Sequence, residues 1–220
     1  MRVFNALCVQ HMRLAWRGGY TLLAVAFLFI AITLLPFGLG PDLKTLRALA
    51  PGLLWVVLVM TVLITLDRIF QEDFEDGTLD RLMAVPLALE FVVLAKLAGH
   101  YAAVIVPLLV AVPVAGLLLN IDPAHVPILM AALVLGTPAL VLLGGIGAAL
   151  AVSVRRGGLL TVLLSLPFYV PVMIVGVSAT QAALDGAVEP TRLTILALLS
   201  AASLLLAPLA IGAALRLSLR

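Results

Sequence analysis

The charged residues of the chain divide it into long apolar stretches. A helix that rises 1.5 Å per residue needs about 20 apolar residues to cross a bilayer core of roughly 30 Å. Backbone polar groups in lipid must be satisfied within the protein, so stretches of this length are expected to be helices rather than strands. The pattern predicts an all-α membrane protein, a single transmembrane domain over residues 1–220. Six transmembrane helices are expected, at about Gly19–Leu39, Ala50–Leu66, Phe91–Leu119, Val126–Val154, Gly157–Val177 and Leu193–Leu215.

The first 17 residues have a different, amphipathic pattern. At 100° per residue, polar residues collect on one side of a helix and apolar residues on the other. The polar side holds Arg2, Asn5, Gln10, Arg13 and Arg17, and the apolar side holds Val3, Phe4, Leu7, Cys8, His11 and Leu14. Such a pattern is typical of a helix lying in the membrane interface. We therefore predict an elbow helix over residues 1–17, with a frayed basic tail as the alternative.

Residues 67–88, here called the acidic segment, connect the second and third spans. Seven of the chain's 11 acidic residues lie in it or just after it: Asp67, Glu72, Asp73, Glu75, Asp76, Asp80 and Glu90. Ile69, Phe70 and Phe74 continue a helical stripe from the second span, with the acids expected on the opposite side. Gly77 predicts a helix stop and Thr78 a candidate N-cap of a second short helix. Such charges do not favour membrane insertion, so an aqueous partner is favoured over a merely solvated charge run.

The distribution of Lys and Arg predicts the orientation of the spans. With cytoplasmic termini, that side holds ten of the 13 basic residues: Arg2, Arg13, Arg17, Arg68, Arg81, Lys96, Arg155, Arg156, Arg216 and Arg220. The far side then holds three, Lys44, Arg47 and Arg192. We expect both termini and the acidic segment on the cytoplasmic side of a bacterial inner membrane, or less favourably a mitochondrial one. Residues 178–192 then form an outer-side segment, apolar enough for a short surface helix.

Composition and motifs exclude several classes of protein. With 64% hydrophobic and 11% charged residues, the chain is not a soluble domain. A net charge of +2, without a basic stripe interleaved with aromatic residues, argues against nucleic acid as a partner. The sequence has no G-x-x-x-x-G-K-[ST], G-x-S-x-G or H-E-x-x-H, so we expect a non-catalytic chain that holds no nucleotide itself. One cysteine and three scattered histidines predict no disulfide and no metal site.

Lys96 and His100, one turn apart near the start of the third span, are a candidate intramembrane polar site. Lys96 is expected either to extend to the interface or to form an ion pair within the membrane. His100 is expected either to donate a hydrogen bond to a neighbouring helix, or to join a polar path or ligate haem iron. Both alternatives stay open from the sequence.

Three stretches resemble one known family. Phe74–Leu87 (FEDGTLDRLMAVPL), followed by Val93–Lys96 (VLAK), resembles the signature loop of the permease B subunit of the cytochrome c maturation system, the haem exporter permease. Arg155–Gly176 (RRGGLLTVLLSLPFYVPVMIVG) is similar to the fifth helix of that family, and Ala50–Trp55 (APGLLW) to the start of its second. The Gly-Thr-Leu piece alone occurs in many ABC-2-type permeases, whereas three matches in the right order are specific.

The resemblance implies an ABC transporter membrane subunit that works with a separate ATPase subunit, which holds ATP and Mg²⁺. The other implied partners are further cytochrome c maturation membrane subunits, a haem chaperone, a second permease copy and membrane lipid. Haem is a candidate cargo of the complex, and no cofactor is expected on this chain. The acidic segment is then the coupling element seated against the ATPase. Its candidate interface residues are Phe70, Glu72, Asp73, Phe74, Glu75, Asp76, Gly77, Thr78, Leu79, Asp80 and Arg81.

Three other hypotheses compete with this one. A self-contained secondary transporter would use Lys96 and His100 on an ion or proton path. A scaffold would dock other subunits without transport, and a permease of another ABC-2-type exporter would carry a different cargo. Whether the complex exports haem, moves another species or releases a loaded chaperone is left open by the residues.

Overall fold

The structure is a computed structural model that describes residues 2–40, 42–66, 69–79, 87–154, 157–187 and 189–218. Every regular element within these ranges is helical, and six helices are long and apolar enough to cross a membrane, which confirms the predicted all-α architecture. In chain order the α-helices are α1 (Arg2–Arg17), α2 (Tyr20–Leu39), α3 (Leu43–Leu66), α4 (Gln71–Glu75), α5 (Leu89–His100), α6 (Val106–Leu118), α7 (Val126–Ala151), α8 (Gly157–Leu184) and α9 (Pro190–Ser218). A π-helical turn (Tyr101–Ile105) joins α5 to α6, and a 3₁₀ turn (Pro123–His125) precedes α7.

The second span begins earlier than predicted. Its helix α3 starts at Leu43 rather than near Ala50, because Asp42 caps it. The Asp42 carboxylate accepts from the N–H of Lys44 and the N–H of Thr45, each at 3.2 Å, and from the Thr45 hydroxyl at 2.5 Å. These hydrogen bonds hold the pKa of Asp42 below its usual value, the Thr45 hydroxyl contributing most.

The prediction of a separate short surface helix within residues 178–192 is wrong. Nothing between Ser178 and Leu184 breaks the fifth span, so α8 continues unbroken to Leu184. The chain then turns at Gly186, whose φ of +78° is readily adopted by glycine, and α9 begins at Pro190. Arg192 ties the two helices together by donating to the Ser178 carbonyl at 2.6 Å.

The third span is interrupted by a π-helical turn that the sequence analysis did not predict. In this turn, Tyr101–Ile105, the N–H of Val106 donates to the Tyr101 carbonyl, five residues back. Residue 107 is proline, which has no N–H to offer the Ala103 carbonyl as a regular α-helix would. The Thr21 hydroxyl of α2 donates to that carbonyl instead, at 2.7 Å. The irregular turn is thereby tied to the first span.

The fourth span carries a glycine patch, Gly144, Gly145 and Gly147, that permits close helix contacts. A Cβ at Gly144 would collide with the Tyr169 hydroxyl of α8, and one at Gly147 would collide with the Ser165 hydroxyl. A Cβ at Gly145 would lie 3.0 Å from Ile211 of α9. Small residues let membrane helices approach closely and gain dispersion contacts, which is how α7 packs between α8 and α9.

Residues 2–17, predicted as an elbow helix, form helix α1, whose apolar side packs against α5. Phe4 meets Phe91 edge to face, with ring centroids 5.2 Å apart. Gly99 of α5 faces the Cys8 carbonyl so closely that a Cβ there would lie 2.7 Å from the oxygen. Leu14, assigned to the same apolar side, is 54% exposed. Part of that side is thus free to contact lipid, although the interfacial position of α1 stays a prediction.

Candidate functional site

The acidic segment forms a short helix that stops where the sequence predicts. Helix α4 ends at Glu75, and Gly77 takes up a left-handed φ of +70°. The N–H of Thr78 then donates to the Asp76 carboxylate at 2.8 Å. The backbone N–H groups that a Thr78 cap would bond belong to residues outside the described ranges, so the predicted cap stays a prediction. Thr78 and Leu79 are helical. Asp80 and Arg81, also predicted interface residues, lie outside the described residues.

Helical spacing gives the acidic segment two faces. Phe70, Asp73 and Phe74, at spacing i, i+3 and i+4, lie on the inward face: Phe70 is buried and the other two are partly buried. Glu72, Glu75 and Asp76 are exposed, and of these Glu75 and Asp76 form the outward face. The expectation that all the acids oppose the aromatic stripe is therefore wrong for Asp73. Leu79 is also buried, so it and Phe70 anchor the segment and are not open to a partner in this structure.

Asp73 forms an ion pair with Lys96 of α5. Lys96 is only 5% exposed, so it is paired and does not extend to solvent, while its depth in the membrane stays a prediction. Its Nζ also lies 5.5 Å from the centre of the Phe70 ring, within cation–π range. A buried ammonium is costly unless it is paired, and the acidic segment supplies the carboxylate.

His100, one turn along α5 from Lys96, is buried and contacts the second span. Its Nε2 lies 3.4 Å from the Thr65 hydroxyl oxygen, a long hydrogen bond. The Thr65 hydroxyl donates its proton to a carbonyl of its own helix, at 3.0 Å for Thr61 and 3.1 Å for Val62. His100 thus shares a hydrogen bond with a neighbouring helix, and the tautomer of its ring determines which group is the donor.

These side chains line one cavity of about 70 Å³ beneath the acidic segment. The cavity brings together elements far apart in sequence, with polar lining residues His11, Tyr20, Thr65, Glu72, Asp73, Lys96 and His100. The sequence analysis treated the histidines as scattered, yet two of them meet here. Across the described ranges, no group of three or more His, Cys, Asp or Glu side chains is arranged to hold a metal ion.

His11 of α1 is an uncharged member of this cluster. Burial, and then the nearby positive charge of Lys96, lower the pKa of His11 from 6.5 to about 4, while Asp73 acts in the opposite direction. At neutral pH the imidazole is therefore uncharged. The ammonium of Lys96 is left to interact with the carboxylates of the acidic segment.

Two further contacts hold the acidic segment and α5 to the first and last spans. The Tyr20 hydroxyl, at the start of α2, donates to the Glu72 carboxylate. Glu90, in the first turn of α5, accepts from Arg216 near the end of α9 at 2.7 Å. Tyr20, His11 and Thr65 were not identified from the sequence. The sequence does contain a signal for the inward orientation of Asp73, namely its helical spacing from Phe70 and Phe74.

Comparison with known proteins identifies the family. A family model described as CcmB protein matches residues 2–218. The chain is 50% identical over 217 residues to the "Heme exporter protein B" of Paracoccus denitrificans, covering 98% of this chain and all of that protein. It is 43% identical to the protein of the same name from Rhodobacter capsulatus, with coverage of 98% and 100%. It is 40% identical over 194 residues to that of Escherichia coli K12, 88% of each chain. The chain belongs to the CcmB family.

Proposed function

We propose that this chain is the membrane subunit of an ABC transporter that acts in cytochrome c biogenesis in the bacterial inner membrane. Family membership supports this role, as do relatives named "Heme exporter protein B". Both termini and the acidic segment face the cytoplasm, where the segment is the coupling element seated on a separate ATPase. Two permease copies, further membrane subunits and a haem chaperone complete the complex, with haem as its cargo.

The observation that carries the proposal is the two-faced acidic segment. Its inward face is fixed to the membrane domain by the Asp73–Lys96 ion pair and by buried Phe70. Its outward face presents the Glu75 and Asp76 carboxylates to solvent. The sequence holds no P-loop, so ATP and Mg²⁺ belong to another subunit. A carboxylate-bearing surface attached firmly to the spans suits a motor subunit with a basic docking surface.

A pair of charge-reversal variants tests the docking. Glu75 is exposed at the end of α4 and accepts from the amide of Gln71, one turn earlier, at 3.1 Å. Asp185 is exposed just after α8 and accepts in the same way from Gln181, at 3.3 Å. Glu75→Lys places a like charge against a basic partner and should weaken binding of the ATPase subunit by about tenfold or more. Asp185→Lys makes the same change on the predicted outer side and should leave binding unchanged.

The measurement is the amount of ATPase subunit, identified by mass spectrometry, that purifies with the tagged chain from native membranes in mild detergent. Cytochrome c yield in cells carrying each variant is the second readout. Equal ATPase recovery with Glu75→Lys and with the unaltered chain would refute the docking of this face. Recovery of no ATPase with the unaltered chain would refute the ABC role.

The rival secondary transporter needs Lys96 and His100 to be available to a moving ion. The ion pair with Asp73 and the hydrogen bond with Thr65 occupy both groups. Those partners favour a structural link to the acidic segment over an ion path. Gradient-driven flux by the purified chain alone in liposomes would reverse this preference.

A further inference from the structure

Helix α5 is where the parts of the cytoplasmic edge converge. The elbow helix α1 packs on it at Gly99, where the Cys8 carbonyl leaves no room for a Cβ. The acidic segment is bound to it at Lys96, and the second span contacts it through His100 and Thr65. The π-helical turn begins directly after His100. Helix α5 is therefore a short rigid element, held from three sides and separated from α6 by irregular backbone.

We propose that Lys96 is a positioning residue that transmits movement: through Asp73 it fixes the acidic segment to α5, so that displacement of the segment moves α5 about the π-helical turn. The inference rests on the proposed function, because it assumes that an ATPase subunit displaces the acidic segment. It adds the route by which that displacement enters the membrane domain. The route runs through the third span, in addition to the direct chain connection to the second.

The chemistry of the contact supports a positioning role over a purely stabilising one. Removing two charges from water costs about as much as their pairing returns, and apolar residues of similar size often serve stability as well or better. What a buried ion pair adds is a defined geometry, since an ammonium that lost its carboxylate would stay buried and unpaired. Within the described ranges Asp73 is the carboxylate that forms an ion pair with Lys96. The segment and α5 are thereby held in one register.

The π-helical turn supplies the place where α5 can change direction. Its Val106 N–H bonds to the Tyr101 carbonyl, so the regular i→i−4 ladder is broken between the two halves of the span. Within the turn, the Ala103 carbonyl is held by the Thr21 hydroxyl of α2. Movement of α5 therefore need not displace α6. Interrupted helices of this kind are frequent where a helix must bend.

Four variants of the full complex test the proposal: Asp73→Asn, Lys96→Met, the double variant, and Lys96→Arg. Each is expressed as the only copy in cells, and cytochrome c yield is normalised to the amount of assembled complex. ATP hydrolysis and thermal stability are measured on the purified complex. The double variant removes both charges while keeping similar volumes, so it should regain the stability that Asp73→Asn loses.

In the double variant, ATPase recovery and ATP hydrolysis should match those of the unaltered complex, while the normalised cytochrome c yield falls by about fivefold or more. Lys96→Arg keeps a charge that can pair with Asp73 and should retain most of the yield. A purely structural pair would not separate hydrolysis from yield, so a wild-type yield in the double variant overturns the proposal. Equal impairment by Lys96→Arg and Lys96→Met also overturns it, and this comparison does not require the double variant to fold. Normal ATPase recovery throughout would show that the proposed function survives such a failure.

Discussion

Trp55 of the second span lies in a slot between two glycines, which makes it the most precise test of the packing. Its indole is fully buried, and a Cβ built at Gly176 of α8 would lie 2.6 Å from both Cε2 and Cη2. A Cβ at Gly136 of α7 would lie 2.5 Å from Cη2. The ring is thus closed in by both helices as well as fully buried, so it has little room to shift when a methyl group is added at Gly176. Gly176→Ala should therefore destabilise the fold, although alanine is the better helix former.

The expected size follows from three contributions. Alanine in place of glycine in a helix interior gains about 1 kcal/mol. Overpacking a closed core typically costs about 1–3 kcal/mol. Shifting the indole also strains the hydrogen bond from its Nε1 to the Thr180 hydroxyl, now 3.1 Å, which is worth about 1 kcal/mol. The net expectation for Gly176→Ala is a destabilisation of about 1–3 kcal/mol.

The assay is unfolding by SDS in dodecyl maltoside micelles, followed by far-UV circular dichroism. Gly52→Ala is the matched control, because Gly52 lies in the same helix as Trp55 and a Cβ added there would have no described atom within 4 Å. It should leave stability unchanged or raise it by up to about 1 kcal/mol. In a Trp55→Phe background, where the ring is smaller, Gly176→Ala should cost clearly less. If Gly176→Ala unfolds at the same SDS fraction as the unaltered protein, the slot is wrongly described.

Two further predictions concern the elbow helix. Gly99→Ala should push α1 away from α5, because its Cβ would meet the Cys8 carbonyl, and maleimide labelling of Cys8, the one cysteine of the sequence, should accelerate. Gly38→Ala, with no described atom within 4 Å, is the control, and an unchanged labelling rate in Gly99→Ala would contradict the contact. The second prediction follows from the lowered pKa of His11. Between pH 6.5 and about 4 the unfolded chain binds a proton that the folded chain does not, so the free energy of unfolding decreases as the pH is lowered through this window. Thermal unfolding at pH 7 and pH 5 should show a smaller loss for His11→Gln, and an equal loss would refute the assignment.

The number and approximate position of the spans could be predicted from the sequence, because charged residues are expensive in lipid and mark where helices end. Their limits depend on finer chemistry. The early start of α3 follows from the capping carboxylate of Asp42, and the late end of α8 from the position of Gly186. The π-helical turn depends on how Thr21 of another helix meets the Ala103 carbonyl. Such a tertiary contact has no local sequence pattern.

The candidate site was located from the sequence, but its internal arrangement was only partly accessible. Charge density and the stop at Gly77 identified the acidic segment and its helix break. The spacing of Phe70, Asp73 and Phe74 also indicates the inward orientation of Asp73. The sequence analysis missed it because the helical period was applied to the aromatic residues and not to the acids. The participation of His11 could not be derived in the same way. It depends on α1 folding back onto α5, a contact between helices far apart in the chain.

The division of the acidic segment into two faces also determines how each face responds to its surroundings. The exposed carboxylates of Glu75 and Asp76 act through water, where salt screens charges over about 8 Å at physiological ionic strength. The Asp73–Lys96 pair is buried, and screening by salt acts on it much less. Attachment of the segment to its own chain is therefore insensitive to conditions that weaken attraction across the outward face. A segment built in this way can be released from the proposed ATPase without being released from α5, and a coupling element that docks reversibly requires that property.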